Sequence, residues 1–290
     1  MESRKTRNVD TRFGPIVAFE DDLITEQVLK FGNHSRPEFA FATSVLQNRD
    51  QVFDLGAHIG TFSLVALEKI GPNGNLLAVE GSELTHSLLT QNLAAKAPAA
   101  QSLNTFIGDG GEFQYVMPTD NTGAGYLVPS EETMEMHSID QLVEQHFQPS
   151  FIKIDLEGFE QQVITASDYI RRTTPTLYVE VHGLALERAG ANARQLMQYL
   201  RSLGYGFFVN KGPRDAAHDV FRVTRKSIPE RQFAGLFDVL CVHKQTQLYQ
   251  ELAKQASYWT HFRAPIRAVI LGIKRRIRGN RKKRRAKLSN

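Results

Sequence analysis

The sequence contains a single cysteine, Cys241, among 290 residues, which excludes a disulfide framework and a multi-cysteine zinc site. No stretch reaches the roughly 18 apolar residues that a membrane-spanning helix needs. The first residues also lack the apolar run of a secretory signal. With 41% hydrophobic and 23% charged residues, the composition is that of a globular protein. We therefore expect a cytoplasmic protein built on one large domain.

Acidic residues are absent from residues 274–290, which contain ten lysines and arginines. The whole chain has 35 basic and 31 acidic residues, so residues 1–273 carry 25 basic against 31 acidic residues, a formal charge of −6. The high isoelectric point therefore comes from the tail. A basic tail on an acidic body predicts attraction to an anionic surface, either lipid or nucleic acid.

Short apolar runs alternate with stretches of helical periodicity along most of the chain. The runs are rich in β-branched and aromatic residues, which is typical of strands covered on both faces. The alternation predicts an α/β fold with a doubly wound, mostly parallel, Rossmann-like sheet. Strands are predicted at residues 51–56, 76–80, 151–155, 176–182, 206–210 and 237–243, and helices at 61–70, 83–96, 160–170 and 192–203.

The segments outside this alternation divide the chain into three parts. Residues 1–12 are polar and predict a loose lead-in, whereas residues 24–47 show helical spacing with Pro37 near a helix start. Residues 110–136, rich in Gly, Thr and Asp, predict an excursion above the sheet. We expect an N-terminal lead-in over residues 1–30, the main domain over 31–245 and a helical, basic tail over 246–290.

The most informative stretch runs from Val52 to Gly60, where a strand ends on Asp54 and two glycines, Gly56 and Gly60, open a helix. Glycines let the backbone approach a ligand closely, and a helix N-terminus offers free N–H groups to an anion. A carboxylate beside these donors suits the ammonium and carboxylate of an amino acid. The tighter three-glycine pattern of dinucleotide-binding proteins is absent.

Two further acidic residues, Glu80 and Asp109, follow along the sequence and suit the two parts of a nucleoside, the ribose and the base. Glu80 ends the next predicted strand, where a carboxylate can accept hydrogen bonds from a ribose diol. Asp109 lies in a loop where it can accept from an adenine amino group. Together with Asp54, Gly56 and Gly60, these residues predict S-adenosylmethionine as the cofactor.

A second group of acids follows the strands at residues 151–155 and 176–182. Ligands of open α/β sheets bind at the carboxyl ends of the strands, so these residues should face the same crevice. The candidates are Asp155, Glu157, Glu180 and His182. Histidine has the pKa best suited to a base at neutral pH, but capping of the strand explains His182 almost as well. Clustered carboxylates also suit magnesium, although we assign no metal ligands.

The sequence resembles the FkbM-type family of S-adenosylmethionine-dependent methyltransferases. The match covers roughly residues 31–243, and its most specific part is the Ile-Lys-Ile-Asp-Leu-Glu-Gly-Phe-Glu stretch of residues 152–160. Two positions depart from the family pattern: His58 replaces an asparagine, and Gly81 follows Glu80 where proline is common. The resemblance implies a class I methyltransferase fold, His58 among the cofactor contacts, and O-methylation of hydroxyls in glycans, glycolipids or natural products.

Methylation of a nucleobase is disfavoured by the residues themselves. Enzymes acting on amino groups of bases use an Asn/Asp-Pro-Pro-aromatic motif, but the chain has Asp155-Leu-Glu-Gly158 at that place. Methylation of a cytosine carbon needs a nucleophilic cysteine, whereas Cys241 lies in an apolar strand, as expected of an inert core thiol.

The tail combines an aromatic lead at Tyr258-Trp259 with apolar residues at helical spacing and arginines and lysines beside them. A basic amphipathic helix of this kind, within residues 258–287, suits an anionic bilayer and peripheral attachment at the inner face of a membrane. Two other interpretations stay open: the apolar stripe packs on the body, or residues 281–285 bind nucleic acid.

We therefore expect an S-adenosylmethionine-dependent O-methyltransferase acting on a sugar, glycan or glycolipid hydroxyl. One alternative keeps the chemistry but places it on the 2′-hydroxyl of RNA, with the basic tail as the RNA-binding part. The other is a catalytically silent methyltransferase fold that serves as a tether, because fold alone does not secure function.

Overall fold

The computed structural model describes residues 4–94, 100–219, 221–224 and 233–260. In chain order the strands are β1 (Thr6–Thr11), β2 (Gly14–Phe19), β3 (Gln51–Leu55), β4 (Asn75–Glu80), β5 (Gln101–Asn104), β6 (Phe106–Ile107), β7 (Gly111–Val116), β8 (Tyr126–Met134), β9 (Met136–His137), β10 (Phe151–Ile154), β11 (Thr176–His182), β12 (Tyr205–Asn210), β13 (Val223–Thr224) and β14 (Leu236–His243). The helices are α1 (Leu23–Phe31), α2 (Arg36–Thr43), α3 (Thr61–Ile70), α4 (Glu83–Ala94), α5 (Ile139–Gln145), α6 (Glu160–Ala166), α7 (Asp168–Thr173), α8 (Gly183–Arg188), α9 (Ala193–Ser202) and α10 (Gln247–Thr260).

An eight-stranded sheet forms the centre, in the order β13-β12-β14-β11-β10-β3-β4-β5. The five strands from β5 to β11 run parallel, and β14 is antiparallel to both β11 and β12. The predicted doubly wound, mostly parallel α/β sheet is confirmed. The predicted strand positions agree with the structure to within one residue at their starts.

The central strands are buried because both faces of the sheet are covered. All four residues of β10 are buried, as are four of the five in β3. Helix α3 packs on β3 and β4 on one face. The other face buries a separate apolar cluster that includes Phe53, Ile154 and Leu196. Continuous apolar runs are the sequence signature of such strands.

The chain order reverses between β3 and β10, which are neighbours in the sheet although 95 residues, 56–150, separate them in the sequence. At such a switch point the connections diverge to opposite faces, and a crevice opens at the carboxyl ends of the strands. The residues following β3, β4, β10 and β11 all meet there, and they build the site.

The N-terminal residues correct the expectation of a loose lead-in over residues 1–12. Strands β1 and β2 form an antiparallel hairpin in which Thr6 pairs with Phe19. The hairpin buries Val9, Ile16 and Phe19 in the core. Only one side chain of β1 is buried, so its sequence carries no apolar alternation that could have revealed a strand.

Two of the predicted helical stretches each divide into two helices. Residues 24–47 form two helices, α1 and α2, because Gly32 takes a left-handed conformation that ends α1. Pro37 stands in the first turn of α2, as expected. Residues 160–170 divide into α6 and α7 at Ser167, whose hydroxyl caps α7 by accepting from the Ile170 N–H.

The excursion predicted for residues 110–136 is a hairpin of β7 and β8 that flanks the crevice. A 3-10 turn, Thr122–Ala124, joins the two strands. At the other end of the chain, α10 packs on β13 and β14. The predicted amphipathic helix within residues 258–287 lies mostly outside the described residues. Within the described part of the chain, no helix is long and apolar enough to cross a membrane.

Candidate active site at the switch point

The loop that follows β3 approaches β10 so closely that only glycine fits. Gly56 has φ +78°, and a Cβ there would lie 1.8 Å from the main-chain oxygen of Asp155. The N–H groups of Gly56 and Ala57 donate to the Val79 carbonyl at the end of β4. The loop is therefore fixed between two strands, with Gly56, Ala57 and His58 lining a cavity. Gly60, φ +91°, caps α3 and is not among the residues that line the cavity, so its contact with the cofactor stays a prediction.

Glu80 ends β4 inside the same cavity, as the sequence predicted. Its carboxylate accepts hydrogen bonds from the His58 N–H at 2.8 Å, the Ser82 N–H at 3.0 Å and the Thr85 hydroxyl at 2.8 Å. Three donors hold the carboxylate in one orientation, and its oxygens retain lone pairs for a further donor. A ribose diol is a ligand that this geometry fits.

His58 connects the glycine loop to the opposite wall. The Thr122 hydroxyl donates to Asp22 at 2.8 Å, so the imidazole Nε2 of His58 must be the donor in its 2.8 Å hydrogen bond to that hydroxyl. Burial is the main effect on the pKa of His58 and lowers it, which keeps the ring neutral. The side chain fixes the wall of the cavity, while the backbone of the same residue binds Glu80.

Asp54 is fully buried and does not line the cavity. It accepts a 2.6 Å hydrogen bond from the Ser63 hydroxyl and pairs with the Lys153 ammonium at 3.2 Å. Asp54 and Lys153 are directly opposite each other on the neighbouring strands β3 and β10, so their side chains meet on one face. The structure corrects the expectation that Asp54 contacts the cofactor directly.

Lys153 instead links the two parts of the site. Its ammonium also donates to the Gly56 carbonyl at 2.8 Å and pairs with Asp155 at 3.2 Å. Burial lowers the pKa of Lys153, but the attraction of Asp155 and Asp54 outweighs this and raises it overall. The lysine is part of the quoted 152–160 stretch, but no role could be assigned to it before the registers of β3 and β10 were known.

Asp109 is exposed and is not among the residues that line the cavity, so its hydrogen bond from an adenine amino group stays a prediction. The preceding residues Phe106 and Ile107 do line it, together with Gly81 and Tyr115. A Cβ at Gly81 would lie 2.3 Å from the Phe106 ring. This side of the cavity is therefore apolar and aromatic, which suits stacking of a nucleobase.

The four predicted catalytic residues do lie together. Asp155, Glu157, Glu180 and His182 all line the cavity, and the three carboxyl groups have oxygens within 4.8 Å of one another. They come from the loop after β10 and from the end of β11, which are adjacent strands. This is the convergence of carboxyl ends that the parallel sheet predicted.

Asp155 and Glu180 form a hydrogen-bonded carboxyl pair in which the two pKa values move apart. Burial raises the pKa of Asp155, but Lys153 and the hydrogen bond from Glu180 outweigh it and hold it below its usual range. Burial, together with the negative charge of Asp155, raises the pKa of Glu180 well above its usual range. The pKa of Asp155 is therefore lowered and that of Glu180 is raised, although the two carboxyl groups lie side by side.

His182 and Glu157 form a second pair, with 3.3 Å between Nδ1 and the carboxylate oxygen. The hydrogen bond to Glu157 raises the pKa of His182, against a smaller opposing effect of partial burial. Nδ1 faces Glu157, so Nε2 is the ring nitrogen that a ligand in the cavity would meet. Glu157 has φ +48°, an unusual conformation for a residue with a Cβ.

Arg214 is a site residue that the sequence analysis missed. It follows β12 in an irregular segment, and its guanidinium binds Glu180 and, at 2.6 Å, Asp238. Glu180 and Asp238 are opposite each other on β11 and β14, so one arginine neutralises both. No local pattern marks Arg214, since its partners are 34 and 24 residues away.

The acid cluster has the ligand atoms and spacing that a hard divalent cation needs. Each of its carboxyl groups also has a basic side chain beside it, namely Lys153 on Asp155, His182 on Glu157 and Arg214 on Glu180. The chain thus places a basic side chain beside each of these carboxyl groups.

These residues enclose a cavity of about 390 Å³, which lies in the range of small-molecule sites. One end is formed by the loop after β3, Glu80 and the aromatic wall around Phe106. The other end is formed by the acid cluster, His182 and Arg214. Such a two-part cavity can hold an S-adenosylmethionine molecule beside a second, hydroxyl-bearing ligand.

Comparison with known proteins identifies a family model described as Methyltransferase FkbM domain, which matches residues 54–207. No curated protein gives a significant match. Among solved structures, the methyltransferase FkbM from Methylobacillus flagellatus KT is 18% identical with a TM-score of 0.44, covering 71% of this chain and 48% of that chain. The precorrin-6y C5,15-methyltransferase from Geobacter metallireducens GS-15 is 13% identical with a TM-score of 0.41, covering 70% of this chain and 86% of that chain.

Proposed function

The chain belongs to the FkbM family of S-adenosylmethionine-dependent methyltransferases, and from this premise we propose that it methylates a hydroxyl group of a sugar, glycan or glycolipid. The observation that carries the proposal is the position of two residue pairs. Glu157–His182 and Asp155–Glu180 lie side by side in the same cavity that the loop after β3 lines. A hydroxyl becomes an effective nucleophile only when its proton leaves, and this end of the cavity holds groups that can take it.

The residues at the other end fit the cofactor. S-Adenosylmethionine, when bound, supplies an electrophilic methyl group on a sulfonium. Gly56 lets the ligand approach the main chain, and Glu80 has lone pairs for the ribose diol. Gly81, Phe106 and Tyr115 offer an apolar wall for the adenine. Asp54 contributes indirectly, since it holds Lys153, which in turn binds the Gly56 carbonyl.

We assign the proton transfer to His182. Glu157 binds Nδ1 and so orients the ring, which leaves Nε2 to accept the proton from the acceptor hydroxyl. The carboxyl groups of Asp155 and Glu180 can position the hydroxyl groups of the acceptor through hydrogen bonds. Much of the remaining acceleration comes from alignment of the hydroxyl oxygen with the methyl group, because a displacement at carbon requires an in-line approach.

The charge of the cavity favours a neutral sugar over RNA. Its lining contains five carboxylic residues against one lysine and one arginine, and both cations are engaged with carboxylates. RNA presents a phosphate at every nucleotide, which such a lining repels. The basic residues 274–290, on which RNA binding would depend, lie outside the described residues.

The experiment is a measurement of S-adenosylhomocysteine formation with the full chain. We expect turnover with neutral glycosides or glycolipids and none with RNA oligonucleotides. The variant His182→Ala should lose turnover while keeping its affinity for S-adenosylhomocysteine. Turnover only with RNA would favour the ribose methyltransferase, and binding of the cofactor product without turnover on any acceptor would favour the tether.

We further propose that residues 258–287 attach the protein to an anionic membrane surface. The support is the sequence of this segment, which combines an aromatic lead with basic and apolar residues at helical spacing. Such attachment would bring the active site to glycolipid acceptors.

A further inference from the structure

One carboxylate in the cavity has no partner. Asp155, Glu157 and Glu180 each have a basic side chain beside them, and Glu80 accepts three hydrogen bonds. Asp215 also lines the cavity, yet it forms no hydrogen bond or ion pair within the described part of the chain. One of its oxygens, Oδ1, is buried without a donor.

The segment that carries Asp215 is fixed in place. Residues 211–219 connect β12 towards β13, and Arg214 ties them to Glu180 and Asp238. Four residues further on, Asp219 binds Arg12 and, at 2.7 Å, Arg36. Asp215 lies between these two anchors. Asp215 therefore has no partner although the backbone on both sides of it is held in place, unlike a side chain in a loose surface loop.

An unpartnered carboxylate in a partly buried position is costly, because it has lost water without gaining a donor. The fold does not need Asp215 for any contact, whereas a ligand that brings an N–H or O–H would satisfy it. Proteins tolerate such costs where the group serves binding.

The position in the sheet indicates which ligand that is. Glu80 ends β4 and Gly56 follows β3, whereas Arg214 holds the segment of Asp215 beside Glu180 near the end of β11. In the sheet, β10 separates β11 from β3, and adjacent strands are about 4.8 Å apart. Asp215 therefore lies at the acid-cluster end, away from the residues that fit the cofactor.

We propose that Asp215 is a specificity-determining residue that accepts a hydrogen bond from a second hydroxyl of the acceptor, next to the one that is methylated. The proposal rests on the sugar methyltransferase function proposed above. It defines the acceptor class more narrowly as a neutral polyol with neighbouring hydroxyls, since an anionic group at this position would meet an uncompensated carboxylate.

The test compares Asp215→Ala and Asp215→Asn with the unaltered full chain in three measurements. Binding of S-adenosylhomocysteine by calorimetry should change by less than about twofold. The melting temperature should stay the same or rise, because no contact of the fold is lost. The matched controls are Glu144→Ala, an exposed acid outside the cavity, and Arg214→Ala, which should lower the melting temperature by leaving Glu180 and Asp238 unpaired.

The third measurement is kcat/KM with methyl glycosides of common hexoses and with their monodeoxy analogues. Loss of a hydrogen bond to a charged group should lower kcat/KM of Asp215→Ala by about 10- to 100-fold, mostly through KM. The unaltered protein should show a similar loss on the analogue that lacks the recognised hydroxyl. The variant should no longer distinguish that analogue from the parent glycoside.

Three results would overturn the proposal: a fall in melting temperature like that of Arg214→Ala, a weakened affinity for S-adenosylhomocysteine, or an unchanged kcat/KM. If no glycoside is methylated by the unaltered protein, the sugar assignment fails separately. The melting and calorimetric results then still decide whether Asp215 serves the fold, the cofactor or neither.

Discussion

At the scale of single residues, Gly56 shows most directly how the sequence determines the site. We predict that Gly56→Ala lowers the free energy of unfolding by more than about 2 kcal/mol and abolishes S-adenosylhomocysteine binding. A methyl group there adds a collision with the Asp155 main chain to the roughly 1–2 kcal/mol cost of a left-handed conformation. Urea unfolding and calorimetry are the measurements.

Gly190→Ala is the matched control for this prediction. Gly190 has a similar φ of +72°, but no other atom lies within 4 Å of the place that its Cβ would take. Gly190→Ala should therefore lower the free energy of unfolding only by the cost of the left-handed conformation, about 1–2 kcal/mol. Equal losses in the two variants would show that the close approach of the loop to β10 contributes nothing.

The His182–Glu157 pair gives a prediction in pH. Glu157 raises the pKa of His182, so the midpoint of its titration should lie above 6.5. The neutral ring that accepts a proton then predominates only above that midpoint, and turnover should rise as the pH passes through it. In Glu157→Gln the midpoint should fall towards 6.5, because the partner has lost its charge.

NMR titration of the histidine ring signals checks the midpoint, with His182→Ala for assignment. Glu144 is an exposed acid that does not line the cavity, so the control variant Glu144→Gln should leave the midpoint of the His182 titration unchanged. A midpoint that is the same in the unaltered protein and in Glu157→Gln would disprove the coupling.

At the scale of elements, the N-terminal hairpin depends on one side chain of α4. Asn92 accepts from the Val17 N–H at 2.7 Å and donates to the Val17 and Ile59 carbonyls at 3.0 and 2.9 Å. It thus joins β2 to the loop after β3. We predict that Asn92→Ala costs about 2–4 kcal/mol of unfolding free energy, because one buried and two partly buried main-chain groups lose their partner.

Urea unfolding of Asn92→Ala against Gln91→Ala measures this cost. Gln91 precedes it on the same helix but is exposed, so its replacement should be nearly neutral. If both variants unfold at the same urea concentration, the hairpin does not depend on Asn92.

The difference between β1 and β10 explains which elements the sequence could reveal. β10 is buried on both faces and therefore reads as an apolar run, whereas β1 buries only Val9. In the site, the rule that ligands bind at the carboxyl ends of parallel strands correctly predicted that Asp155, Glu180 and Glu80 line one cavity. Asp54 was misplaced because its burial depends on Lys153, a partner that only the strand register brings opposite it.

The same reasoning explains why Arg214 and Asp215 were not found. Both lie in an irregular segment with neither an apolar period nor a motif. The role of Arg214 arises from contacts with β11 and β14 across more than 20 residues, and these contacts bring Asp215 to the cavity. Local sequence rules predict elements and the ends of strands, but not which distant loop completes a cavity.

At the scale of the whole molecule, the separation of charge gives the last prediction. Residues 1–273 carry a formal charge of −6, and residues 274–290 carry ten basic residues. We predict that the full chain binds vesicles containing phosphatidylglycerol but not vesicles of phosphatidylcholine alone. Removal of residues 274–290 should abolish binding, because each basic residue near an anionic surface contributes about 1 kcal/mol.

Cosedimentation with vesicles at increasing salt measures this binding, which should weaken as screening grows. The truncated chain should keep its turnover on a water-soluble glycoside, since every residue assigned to the cavity lies before residue 237. Equal binding of the full and truncated chains would assign the membrane contact to the body. If the full chain instead binds RNA in preference to the vesicles, residues 274–290 are a nucleic-acid-binding segment. The proposal that the acceptor is a sugar or glycolipid at a membrane would then be wrong.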